Sequence, residues 1–171
     1  VIIPTYNHGK YIERSVNSVL TQTLKDIEII VVDDGSTDDT EEIIKQFGDR
    51  LIYHRKENGG LGHSRNKGIE LSRGKYLQFL DADDSITEDK LEKQVAVMES
   101  NEDVDVVYSD CCYISPEGEK FGNASEPLAN DDSVVDKLFE TSLMPVHASI
   151  VRRSAILDVG MFDESRVAQE D

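Results

Sequence analysis

The chain of 171 residues contains only two cysteines, Cys111 and Cys112, and they are adjacent. Neighbouring cysteines build no disulfide framework and lack zinc-finger spacing, so folding must rest on a hydrophobic core, and a reduced, intracellular setting is expected. No apolar stretch approaches the roughly eighteen residues of a membrane span, and no signal peptide is visible. Basic residues are scarce: 18 Lys and Arg stand against 35 Asp and Glu, a formal charge of −17. Phosphate backbones are held by Lys and Arg, so this balance argues against nucleic acid as a partner. A small anionic nucleotide remains admissible, because one cation and a few N–H groups reverse a local field. The four histidines, His8, His54, His63 and His147, share no metal-binding spacing, and no Gly-x-Ser-x-Gly elbow marks a hydrolase nucleophile. Internal repeats and low-complexity tracts are missing as well.

What remains is globular: 38% hydrophobic and 31% charged residues, in a length that suits one domain burying about 70% of its unfolded surface. Strand and helix signals alternate with short connections, the pattern of an α/β fold whose mostly parallel sheet is covered on both faces. Strands are predicted at 1–4, 27–32, 51–54, 75–80, 104–108 and 149–151. Helices are predicted around Ile12 to Leu20, Ile43 to Phe47, Leu61 to Ser72, Leu91 to Met98, Val134 to Phe139 and Ser154 to Val159. Ser85 and Glu88 resemble a capping box for the fourth of these helices. A hairpin is expected around Pro116-Glu117-Gly118, with a loop from Phe121 to Asp132. The chain opens inside a strand at Val1 and stops at Asp171 without a closing motif, so a single domain over 1–171, truncated at both ends, is expected.

Two apolar runs break off into acids: Ile29 to Val32 into Asp33-Asp34-Gly35-Ser36, and Tyr76 to Leu80 into Asp81-Ala82-Asp83-Asp84. Such runs read as strands buried on both faces, and open α/β sheets place ligands at the carboxyl ends of parallel strands. Two carboxylates about 5 Å apart repel by roughly 3 kcal/mol at an effective dielectric near 20, so a shared crevice calls for a cation or retained protons. Asp81 and Asp83, one residue apart, can point to the same side, a spacing that suits one hard cation, magnesium or manganese. A solvated acidic loop is the plainer alternative. Asp34 either belongs to a tight turn or accepts a ring N–H of a uracil-like base. Tyr6 either stacks on a base or packs between strand and helix. Asn58-Gly59-Gly60-Leu61-Gly62 makes a weak phosphate loop without dinucleotide or Gly-Lys-Ser/Thr spacing. Arg65 pairs with a diphosphate or with a cluster carboxylate. His147, leading into the last strand, is the histidine placed to rim a pocket, although packing is its plainer role. Glu170 and Asp171 read by themselves as terminal acids.

Jointly, Ile3-Pro4-Thr5-Tyr6-Asn7, Val32-Asp33-Asp34-Gly35-Ser36-Thr37-Asp38, Ser64-Arg65-Asn66, Leu80-Asp81-Ala82-Asp83-Asp84 and Glu170-Asp171 resemble the family 2 glycosyltransferases over essentially the whole chain. The resemblance implies the GT-A fold, a Rossmann-like three-layer α/β/α sandwich, and metal-dependent sugar transfer with inversion, as in polysaccharide or glycoconjugate synthesis. It sets Thr5, Tyr6 and Asp34 around the nucleotide, Asp81 near ribose and metal, and Asp83 on a Mn2+ or Mg2+ ion. Arg65 matches a recurrent arginine, and Asp171 falls at the general base. The donor implied is a nucleotide sugar, UDP-linked by family tendency, and the acceptor a saccharide or a lipid-linked hydroxyl. A cytoplasmic site is implied, with room for attachment to the membrane's cytoplasmic face through flanking segments. Two alternatives stay open: a nucleotide-sugar- and metal-binding fragment without turnover, and a haloacid-dehalogenase-like phosphatase with Asp81 as nucleophile, whose Asp-x-Asp should follow the first strand.

Overall fold

The computed structural model describes residues 1–115, 119–123 and 145–165. Strand β1 (Ile2–Thr5) is followed by helix α1 (Gly9–Leu20) and by β2 (Ile30–Asp33), which lies parallel to β1 with Thr5 opposite Asp33. Helix α2 (Thr40–Lys45) returns the chain to β3 (Ile52–Arg55), parallel to β2 on its far side. Helix α3 (Leu61–Leu71) leads to the short β4 (Tyr76–Leu77). Residues 78–80 then run parallel to β1: the Ile2 N–H donates to the Gln78 carbonyl at 2.8 Å and the Leu80 N–H to the Ile2 carbonyl at 3.0 Å. After α4 (Lys90–Ser100) come β5 (Val106–Tyr108) and a hairpin of β6 (Cys112–Ile114) and β7 (Lys120–Asn123). A 3₁₀ turn at Val146–Ala148 enters β8 (Ser149–Arg152), and α5 (Arg153–Asp158) follows.

Strand β8 is antiparallel to both β4 and β5, so the order across the molecule is β3-β2-β1-β4-β8-β5 with one reversed strand. The sheet is parallel at its first half, as the sequence predicts, and mixed at its second. Alternation along β1 separates the two faces. Ile3 joins Val31, Ile12, Val16 and Val19 of α1, Ile44 of α2 and Leu91 of α4 in one core. Ile2 faces the other way, onto Ile69 of α3 with Leu77, Phe79 and Ile156 of α5. Each such fully buried aliphatic side chain contributes about 1.5–3 kcal/mol. Three layers result because a strand apolar on consecutive residues demands a cover on each side.

Helix α3 approaches β1 closely because Gly68 has no side chain. A Cβ there would fall well inside van der Waals contact of Ile2 Cγ2 and only 3.2 Å from Ile2 Cβ. Gly68→Val is expected to cost about 2–3 kcal/mol by overpacking, read as a fall of roughly 5–10 °C in Tm by calorimetry.

Several boundaries differ from the sequence reading. Helix α4 begins at Lys90 rather than at a Ser85–Glu88 box, because 85–91 is strapped to α1 instead. Ser18 Oγ accepts the Ile86 N–H at 3.2 Å, and Gln22 spans the Thr87 carbonyl (2.7 Å) and the Leu91 N–H (3.1 Å). Residues 121–123, expected in a loop, belong to β7 and pair with β6 as the second arm of the expected hairpin. The turn at Pro116-Glu117-Gly118 and the helix predicted over 134–139 lie outside the described residues. No helix among the described residues is long and apolar enough to cross a membrane.

Candidate functional site

The tips of β1, β2 and the 78–80 strand share one edge, and they carry Thr5-Tyr6, Asp33-Asp34 and Asp81 to Asp84 respectively. With β1 between them, the two acidic tips stand about 10 Å apart at ordinary strand spacing. The β1 tip is laced to the loop after β2. Asn7, at φ 55, donates its N–H to Ser36 Oγ at 2.9 Å and accepts the Thr37 N–H on Oδ1 at 2.7 Å. Asp38 Oδ2 accepts the Gly9 N–H at 3.0 Å, a negative charge where the α1 dipole is positive. Tyr6 is 46% exposed, so it does not pack between strand and helix, and its ring has a face to offer. The buried Thr5 Oγ1 has no hydrogen-bond partner among the described residues.

The two acids after β2 play different parts. Asp33 is fully buried and accepts the Ser36 N–H at 2.8 Å and the Tyr53 hydroxyl at 2.6 Å, with Arg55 Nε at 3.8 Å. Burial, then the Asp33 bond and charge, raise the Tyr53 pKa, so the phenol stays a donor. Asp34 is held by the glycine loop: Gly59 N–H on Oδ1 at 3.0 Å, Gly60 N–H on Oδ2 at 2.8 Å, and Lys56 Nζ in an ion pair with Oδ1. Gly60 has φ 93, a conformation that glycine adopts without strain. The loop predicted as a weak phosphate cradle thus holds a carboxylate of its own chain. Lys56, the cation that completes this cage, carried no signal in the sequence.

On the other side of β1, Arg65 is fully buried, with Nη2 3.3 Å from Asp81 Oδ1 and its guanidinium carbon 5.3 Å from the Phe162 ring centroid. Of the two partners expected for Arg65, the cluster carboxylate is the one in contact. Ser15 Oγ of α1 donates to the Asp81 carbonyl at 3.3 Å, and Arg14 Nη2 to the Asp83 carbonyl at 2.6 Å, which fixes the turn. His147, delivered by the 3₁₀ turn before β8, places Nδ1 2.7 Å from Asp84 Oδ2. Burial disfavours the imidazolium, but the hydrogen bond to Asp84 and the charges of Asp84 and Asp81 outweigh it, and the His147 pKa is raised.

Ligand atoms of Asp81, Asp84 and His147 all lie within 4.8 Å of one another, the arrangement a single cation would require. Two carboxylates and an imidazole suit Mn2+ better than Mg2+, which strongly prefers oxygen. Asp83, expected on the ion, is exposed and stands outside this trio, while Asp84 and His147 stand inside it. A turn closed by the Asp84 N–H on the Asp81 carbonyl at 3.0 Å brings position 84 beside position 81.

A latch joins α3 to the segment after α5. Asn66 Nδ2 donates to the Phe162 carbonyl (2.9 Å) and to Glu164 Oε1 (2.8 Å), while Asn66 Oδ1 accepts the Phe162 N–H at 2.9 Å. His63 Nδ1 lies 3.0 Å from Glu164 Oε2, and Phe162 meets Phe79 edge-on at 5.0 Å. Asp171 and Glu170 lie outside the described residues.

A layered α/β sheet with acids at the tips of the strands on either side of β1 fits the architecture of GT-A glycosyltransferases. The crystal structure of S. aureus TarS 1-349 in complex with UDP matches with a TM-score of 0.79 at 26% identity, over 99% of this chain and 51% of that one. Residues 1–160 match the model of Glycosyl transferase family 2, and the chain belongs to that family. It is 36% identical over 175 residues to the uncharacterized glycosyltransferase RP339 of Rickettsia prowazekii (strain Madrid E), covering 96% of this chain and 53% of the relative. It is 38% identical over 141 residues to the putative teichuronic acid biosynthesis glycosyltransferase TuaG of Bacillus subtilis (strain 168), covering 78% and 56%. The chain therefore spans about half the length of these curated relatives. Membership removes the phosphatase alternative, whose Asp-x-Asp would follow β1 and not the 78–80 strand.

Proposed function

We propose that this chain is the donor-binding part of an inverting, metal-dependent glycosyltransferase that moves a sugar from a UDP-sugar to an acceptor hydroxyl of a saccharide or lipid-linked glycan in the cytoplasm. The observation that carries the proposal is the shared edge: the exposed Tyr6 and the caged carboxylate of Asp34, at the tips of β1 and β2, stand on the same side of the sheet as the acids and imidazole of Asp81, Asp84 and His147. TarS, at 26% identity, has been crystallised with UDP and with UDP-GlcNAc, which supports the choice of nucleotide. In this reading Tyr6 stacks on the base, the orphaned Thr5 hydroxyl gains a partner from the nucleoside, and Asp34 takes the ring N–H. Asp81 approaches the ribose, and Arg65 holds Asp81 in place. The residues that would hold the cation are His147, Asp81 and Asp84, which lie together, and Asp83, the position given by the resemblance. When bound, the ion neutralises charge on the departing diphosphate. Asp171 takes the proton of the attacking hydroxyl.

A thermal-shift panel of UDP, UDP-GlcNAc, GDP and dTDP, with and without Mn2+, tests this. UDP at a hundred times its Kd with Mn2+ is expected to add about 2.7 kcal/mol, roughly 5–10 °C. The Mn2+-dependent part should grow as pH rises through the raised His147 pKa. A protonated imidazole is no ligand, so the ion and the proton compete for one nitrogen. Without metal the sign reverses: the Asp84–His147 pair contributes fully below the unfolded histidine pKa, and its contribution fades as pH rises through the folded one. Equal shifts with all four nucleotides, or none with any, would overturn the proposed donor.

A further inference from the structure

Behind His147, on the side away from the nucleotide edge, a polar cluster sits inside the core. Lys90 opens α4, Gln94 follows one turn later, and Gln78 lies on the strand beside β1; all three are buried. Lys90 Nζ donates to Gln78 Oε1 and, at 2.8 Å, to Gln94 Oε1. An ammonium only donates, so it turns the oxygen of each amide toward itself and the NH2 of each amide outward. Both NH2 groups then meet the turn that carries His147. Gln78 Nε2 donates to the His147 carbonyl at 3.0 Å and also to the Phe79 carbonyl, and Gln94 Nε2 donates to the Ala148 carbonyl at 2.9 Å. The Ser109 N–H reaches the Ala148 carbonyl as well, at 3.2 Å. Burial lowers the Lys90 pKa to about 8, a desolvation cost that an aliphatic residue at 90 would not carry.

We propose that Lys90, Gln78 and Gln94 are positioning residues for His147: one ammonium orients two amides, and the amides fix the consecutive carbonyls of residues 147 and 148, so that the imidazole stays beside Asp81 and Asp84. This rests on the reading of His147 as a ligand of the cation. Groups outside the ligand shell that orient a metal-binding side chain typically cost 10–100-fold in metal affinity when lost, and amides that fix the backbone at residues 147 and 148 would act on the imidazole through the same orientation. The sequence offers Lys90 and Gln94 four residues apart on one helix face, but nothing in it ties that face to position 147.

The decisive variant is Gln78→Glu. It keeps an acceptor for Lys90 at nearly the same volume, yet replaces the donor to the His147 carbonyl by an oxygen. Electron paramagnetic resonance of Mn2+ in the presence of UDP reads the ion's Kd, and pulsed measurements read the nitrogen modulation of a bound imidazole. Gln78→Glu and Lys90→Met are each expected to weaken Mn2+ at least tenfold and to diminish the nitrogen modulation, while UDP affinity without metal stays within twofold. Mn2+ affinity unchanged within twofold in both variants, beside a wild-type nitrogen signal, overturns the positioning role alone. A parallel loss of metal-free UDP affinity and of Tm in both assigns the cluster to general stability and overturns it too. A wild type that binds Mn2+ without nitrogen modulation overturns the reading of His147 and this proposal with it.

Discussion

Asp171→Asn, in a chain that extends past residue 171, is expected to lower the transfer rate by 10²–10⁴-fold, the range typical of a lost general base. Carboxylate and carboxamide have nearly the same shape, so the loss should fall on kcat, while the Tm shift given by UDP and Mn2+ persists. The last described residues are held beside Asp81. Phe162 and Glu164 are latched to α3 by Asn66, Phe162 lies against Arg65, and Arg65 contacts Asp81. Asp171 is six positions beyond Ser165, a span of up to about 20 Å. A carboxylate delivered to the acceptor side would stand opposite the cation, and the two would stabilise a proton leaving and a diphosphate departing in one transition state. A kcat within threefold of wild type would move the base to another residue. Loss of the UDP shift together with kcat would make Asp171 a binding residue.

The second large effect is expected at the cation. Asp83→Ala should abolish the Mn2+-dependent part of the UDP shift, and His147→Ala should weaken Mn2+ at least 100-fold, which is about 2.8 kcal/mol at about 1.4 kcal/mol per decade. Titration of Mn2+ into each variant with UDP present, followed by calorimetry, measures both. Asp84→Ala separates two roles for its carboxylate. As a ligand, its loss weakens Mn2+ as strongly as His147→Ala does. As a partner that only holds Nδ1, its loss lowers the His147 pKa and lets Mn2+ bind at more acidic pH. An Asp83→Ala protein that keeps the full Mn2+ response, beside His147→Ala and Asp84→Ala proteins that lose it, assigns the ion to Asp81, Asp84 and His147 alone.

The parallel half of the fold was legible because its strands are uninterrupted apolar runs and its helices have regular apolar spacing. Val31 and Ile12 announce themselves by pattern. β8 was legible as a strand but not as a reversed one, since direction is set by where the chain returns and not by composition. The start of α4 was misread because Ser85 and Glu88 have the right types at the right spacing, and only the tertiary contacts of Ser18 and Gln22 decide against them. In the site, the acids could be found from strand ends. The pairing of Arg65 with a cluster carboxylate was one of two partners the sequence offered, and Asp81 is that carboxylate. What could not be found were the partners that arrive from afar, Lys56 on Asp34 and His147 on Asp84. These pairs join residues 22 and 63 positions apart, and no local pattern encodes them.

The reversal of β8 has a consequence for how such chains diversify. The surroundings of Asp34 are assembled from β1, β2, β3 and the loop after β3, parts that are local in sequence. Asp84 instead meets His147, from the 3₁₀ turn that leads into the antiparallel β8 much later in the chain and is anchored through α4. Under the proposed roles, the residues for the nucleobase and those for the ion therefore come from different stretches of the chain, joined by Arg14 and Ser15, which hold the Asp81–Asp84 turn. A hybrid taking its first sixty residues from a relative with a different nucleotide is expected to exchange the base and, where Arg14 and Ser15 are kept, to keep the ion.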